Sequence, residues 1–139
     1  MDMYYAEIIF PARAFTREVK KILENNKYDY IAEEIGMVRV VNNLAPWGEF
    51  EELEAHFVKH EIPFDRYSGA FVSTMPLYRR YRPGMGDYTL NVVEITDGEF
   101  QPYLLVTQLR DLLSLPAEEL KQKLAELIES ADPKLPPVE

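Results

Sequence analysis

The hydrophobic positions change period several times along the chain, and each change marks an element. Met3 to Phe10 is a β-branched and aromatic run with one charge, Glu7, which predicts a strand largely buried in a sheet. Pro11 stops it. Phe15, Val19, Ile22 and Leu23 then fall at i, i+4, i+7 and i+8, one face of a helix reaching Asn25, with Arg13, Arg17, Lys20 and Lys21 on its solvated surface. Tyr28 to Ile35 satisfies neither period and stays open between a helical turn and an extended segment. Met37 to Asn42, MVRVVN, reads as a strand and runs into the loop NNLAPWG. A helix between two strands predicts a parallel pair joined by a right-handed crossover.

Glu49 to Glu61 predicts a second helix burying Phe50, Leu53, Phe57 and Val58, with acids in its first turns where the helix dipole favours them. Ile62 and Pro63 end it. Two extended runs follow, Phe64 to Tyr67 and Leu77 to Arg82, with Ala70 to Val72 as an extension of the first. Pro83, Gly84 and Gly86 form a turn, Tyr88 to Thr96 is a further strand, and Asp97-Gly98 closes it. Beyond Pro102 the spacing turns helical: Leu105, Leu109, Leu112 and Leu113, then a break at Ser114-Leu115-Pro116, then Leu120, Leu124, Leu127, Ile128 and Ala131.

These elements predict one α+β domain over residues 1–132, a single-layer mixed sheet with helices packed mainly on one face. The order is β-α-β-α-β-β-β-α-α, ferredoxin-like in its first half, with a C-terminal helical hairpin. Residues 133–139 form a proline-rich tail expected to fray. The hairpin offers more leucine than one sheet face needs, which points to a homo-oligomer.

Composition narrows the function classes. The chain of 139 residues has no cysteine, which removes disulfides, thiolate metal sites and cysteine nucleophiles and suits a cytoplasmic protein. No stretch approaches a membrane span, and the acid in MDMYYAEIIF is foreign to a secretory leader. The net charge of -9 argues against nucleic acid and membrane surfaces and suits a basic protein partner. Its distribution is uneven. Residues 62–88 carry four Lys and Arg against two Asp and Glu, whereas residues 1–61 carry seven against twelve and residues 89–139 four against ten.

Candidate chemistry is sparse. His56 and His60, at i, i+4 with Glu52 one turn earlier, have metal spacing, but the HExxH order is absent and no third histidine exists; the pattern reads as a solvated face, with no metal and no cofactor expected. Neither Ser68 nor Ser73 stands in a GxSxG elbow, Gly84 and Gly86 are followed by no lysine or helix, and carboxylate pairs such as Glu51 and Glu54 say nothing without geometry. The remaining signal is arginine interleaved with tyrosine. Alternation places Tyr78, Arg80 and Arg82 on one face of their strand, and Arg66 and Tyr67 on the neighbouring strand complete a candidate anion or partner site. The opposing reading of these residues is an exposed strand pair whose long side chains cover apolar surface.

The wording WGEFEELEAHFVKHEIPFDRYS followed by YRRYRPG resembles small uncharacterised proteins encoded by bacteriophages and mobile elements, over the middle third of the chain. The resemblance implies a bacterial or phage accessory protein and carries no catalytic residue. Together these readings favour a small acidic binding or regulatory protein over an enzyme. The alternatives are a nucleotide- or phosphate-binding protein using the arginine strands and, opposed by net charge, a nucleic-acid binder.

Overall fold

The computed structural model describes residues 2–70, 75–96 and 98–139. Among them the chain forms β1 (Met3–Pro11), α1 (Arg17–Asn26), β2 (Tyr30–Glu34), β3 (Met37–Pro46), α2 (Glu51–Lys59), β4 (Phe64–Ser68), β5 (Leu77–Arg82), β6 (Gly86–Thr96), β7 (Glu99–Pro102), α3 (Val106–Arg110) and α4 (Ala117–Ala131), with a 3-10 turn at Ala12–Ala14. The strands make one sheet in the order β2-β3-β1-β4-β5-β6-β7, and every neighbouring pair is antiparallel. The α+β class stands, but the expected mixed sheet does not. Tyr30–Glu34 is itself a strand, so β3 returns along it as a hairpin and meets β1 antiparallel, with Ile8 opposite Val40 and Phe10 opposite Val38. Both α1 and α2 therefore cross between strands that are not neighbours.

Register decides which side of each strand is buried. Ala6, Ile8, Phe10, Val38, Val40 and Phe64 share the face covered by α1 and α2, whose Val19, Leu23, Phe50, Leu53 and Phe57 complete the core. The α1 helix starts where the Thr16 side chain accepts from the Val19 N–H and ends at Lys27, in the left-handed region at φ 51°. Its predicted core positions Val19 and Leu23 are fully inside, while Phe15 and Ile22 pack at the rim. In α2, Val58 faces outward instead, because the turn of the helix places Phe50, Leu53, Glu54 and Phe57 over the sheet.

The opposite face carries a smaller cluster. Tyr67 lies across from Tyr78, Tyr78 across from Leu90, and the outer end of β6 with β7 folds back so that the Phe100 ring is 4.5 Å from that of Tyr67, although β5 and β6 separate the two in strand order. The C-terminal helices bury no residue fully, and Leu113, Val106, Leu105 and Ile128 are exposed. The last residues are tied at two points: the Arg82 Nε–H donates to the Pro136 carbonyl at 2.7 Å, and Arg13 Nη2 donates to the Glu139 carbonyl at 2.7 Å. Val138 is buried. Among the described residues no helix is long and apolar enough to cross a membrane. The proposed strand extension at Ala70 to Val72, the closing Asp97 and Ser73 lie wholly or in part outside the described residues.

Candidate functional site

The arginines of β4 and β5 divide between the two faces of the sheet. Arg66 is opposite Arg79, not beside Arg80 and Arg82, so it points to the helix side. Two guanidiniums directly across a strand pair repel, and the sheet needs a negative charge between them. Glu54 supplies it from α2. Its side chain is buried at 2 % exposure, with Oε1 3.0 Å from both Arg66 Nη1 and Arg79 Nη1, while Oε2 accepts from the Phe50 N–H at 2.6 Å. Asp87 grips the other edge of Arg79 bidentately, Oδ1 at 3.1 Å from Nε and Oδ2 at 2.7 Å from Nη2. That hydrogen bond is the main reason the Arg79 guanidinium is held even more firmly protonated than usual.

On the other face Arg82, 4 % exposed, donates to Asp65 at 2.8 Å and to the carbonyls of Phe64, Tyr81 and Pro136. Tyr67 and Tyr78 pack in a tilted arrangement, 5.4 Å between ring centroids, and burial raises the pKa of both, that of Tyr67 to about 12. Of the three arginines in the predicted cluster, only Arg80 forms no ion pair with a described residue; its guanidinium covers the Tyr78 ring at 4.8 Å. The five predicted site residues are thus parts of two structural assemblies. Tyr67, Tyr78, Arg80 and Arg82 share one face, and Arg66 stands apart from them on the other, because cross-strand register, which alternation within one strand cannot reveal, set it on the far side.

A different concavity stands at the other end of α2. It is a cleft of about 660 Å³ where the end of β3 and the entry to α2 meet the end of α1, with Tyr28, Leu44 and Trp47 as its apolar surfaces and Glu49, Glu51 and Glu52 along its rim. The loop that presents Trp47 is fixed in an uncommon shape. Trp47 and Gly48 are both left-handed, at φ 56° and 66°, which for an aromatic residue costs about 1–2 kcal/mol. Hydrogen bonds on every side hold it there: the Trp47 N–H to Asp2, the Tyr4 hydroxyl to the Trp47 carbonyl, and the Ser68 hydroxyl to the Gly48 carbonyl at 2.6 Å. Trp47 nonetheless remains 54 % exposed. Gly48 cannot carry a side chain, since a Cβ would meet the Tyr4 ring and Ser68 at a backbone angle only glycine adopts freely. Gly48→Ala is expected to lower stability by about 1–3 kcal/mol, measured by thermal unfolding.

The far wall is equally firm. Tyr28 packs edge-on against Phe50 at 5.1 Å, and the Asn26 side-chain amide donates both to the Ile22 carbonyl and to Glu52. Burial, with the charges of Glu52 and Glu54 behind it, pushes the Tyr28 hydroxyl up to about 12, so it stays a neutral donor in a negative field. From the sequence alone NNLAPWG reads as a plain loop and the acids after it as dipole partners, whereas β3 runs on through Pro46 and only Trp47 and Gly48 turn; the available signal is a lone tryptophan beside a glycine, directly preceding three glutamates.

Near the other end of α2, His56 and His60 do lie together, ring centroids 4.4 Å apart, but the acid beside them is Glu18 of α1, not Glu52. Burial first, then the neighbouring His60 and Lys59, lowers the His56 pKa, with Glu18 acting the other way. Comparison of the chain with protein-family models, with curated proteins and with solved structures returned no match. The geometry therefore carries the functional reading.

Proposed function

We propose that the protein is a small acidic binding module, of accessory or inhibitor type, whose cleft at Trp47 receives a cationic side chain or a Lys/Arg-rich segment of a protein partner. The observation that carries this reading is the pairing of an exposed indole and a half-buried phenol with three glutamates on one rigid concave surface. An ammonium or guanidinium can lie on the aromatic faces while the carboxylates accept its hydrogen bonds, a combination that neither aromatic nor acid provides alone. The overall charge of -9 adds long-range attraction for a basic partner. No nucleophile, base or bound group is needed for such a role, in keeping with a non-catalytic protein. The anion-site alternative loses support, since Arg66 and Arg82 are buried against their own acids. The β-α-β-β-α-β course of the first six elements, with sheet order β2-β3-β1-β4, supports the ferredoxin-like reading of the first half. Exposed apolar side chains on and beside α3, at Leu105, Val106, Leu109 and Leu113, with Ile128 on α4, support self-association there.

The test is calorimetric titration with hexa-arginine and with hexa-glutamate. Binding of the first alone is expected, weakened tenfold or more in Glu51→Lys with Glu52→Lys, and lost in Trp47→Gly. Because glycine relieves the left-handed strain, Trp47→Gly should keep or gain up to about 1 kcal/mol of stability, which separates lost binding from lost fold. Equal binding in all three proteins would end the proposal.

A further inference from the structure

We propose that Glu18, His56 and His60 form a binding site for a divalent transition metal, zinc above all, that ties α1 to α2. Each residue offers one ligand atom, and the three atoms lie within 4.8 Å of one another. The set is two imidazoles and one carboxylate, the composition of many three-ligand zinc sites with a fourth position left to water. It draws on separate elements. His56, in the last turn of α2, and His60, its C-cap residue, are one turn apart with their ring centroids 4.4 Å from each other, and Glu18 arrives from the first turn of α1.

Bond lengths near 2.0–2.2 Å place neighbouring ligand atoms on a tetrahedral metal about 3.3 Å apart, so the three must draw in by up to about 1.5 Å. All three are side chains at least partly open to solvent, and side-chain rotation covers that distance without moving either helix. The local field also favours a cation. His60 caps the C-terminal end of α2, where unpaired carbonyls concentrate negative charge, although the Lys59 ammonium alongside opposes it. Hard cations such as magnesium prefer all-oxygen sets, so imidazoles select a borderline metal. The site is separate from the cleft at Trp47, at the opposite end of α2.

These two histidines are the whole histidine content of the chain, which makes the test sharp. Wild-type protein titrated with zinc chloride by calorimetry is expected to take up about one equivalent, with magnesium chloride giving no heat. His56→Ala with His60→Ala should weaken zinc binding by about 100-fold or more, and Glu18→Gln by about tenfold, the range over which even orienting partners act. Imidazole nitrogen signals of His56 and His60 in the wild-type protein should both shift on zinc addition, a reading that does not depend on any variant folding. Unaltered affinity in the histidine-free variant, or zinc that leaves both imidazoles unshifted, would overturn the proposal.

Discussion

Glu54→Ala is expected to destabilise the protein by about 3–5 kcal/mol, a loss of roughly 10–17 °C in melting temperature by circular dichroism. The size follows from what the carboxylate leaves behind. Arg66, 6 % exposed, would keep a guanidinium inside with Arg79 directly opposite it across the strand pair and only the half-exposed Glu49, at 3.8 Å, as a distant partner, and the Phe50 N–H at the start of α2 would lose its acceptor. An unpaired buried charge costs far more than the pair contributes over an apolar substitute, so the loss should be partly reversible. Glu54→Leu combined with Arg66→Met is expected to be more stable than Glu54→Leu alone. A loss below about 1 kcal/mol in Glu54→Ala would show that water reaches this carboxylate and that it does not join α2 to the sheet.

The second large effect separates two neighbouring arginines that the sequence presents as equals. Arg82→Ala should cost about 2–4 kcal/mol, because Asp65 loses its partner and three carbonyls lose a donor. It should also release the tail held through Pro136, so trypsin is expected to cut after the exposed Lys134 much faster than in the wild-type protein. Arg80→Ala removes only a stacking contact with Tyr78 and should stay within about 1 kcal/mol, with the tail still protected. Equal effects of the two changes would contradict the assignment of Arg82 to the fold.

The sequence shows the periodic elements plainly and hides what depends on register. Val19, Leu23, Phe50, Leu53 and Phe57 are legible as core because a helix repeats them toward one side. Tyr30–Glu34 was not, since an edge strand exposed along nearly its whole length has no alternation to display, and missing it turned an antiparallel hairpin into an expected parallel crossover. Alternation sorted Tyr78, Arg80 and Arg82 to one face correctly, yet nothing local states that Arg66 falls opposite Arg79. The same limit hid the partner of the histidines: Glu18 is 38 positions from His56 and reaches it only because α1 and α2 lie side by side on the sheet. Trp47 was hidden differently. A tryptophan at positive φ follows no propensity, and such a residue persists only where surrounding hydrogen bonds over-determine it.

We propose the acidic cleft at Trp47, not the arginine strands, as the binding surface. Amide chemical-shift mapping tests it most directly, on one isotope-labelled sample titrated in parallel with hexa-arginine and with ATP. Hexa-arginine is expected to move the signals of residues 26–28 and 42–52, and ATP to leave β4 and β5 unmoved. Shifts confined to residues 64–68 and 77–82 on adding ATP, with the cleft silent toward hexa-arginine, would contradict it.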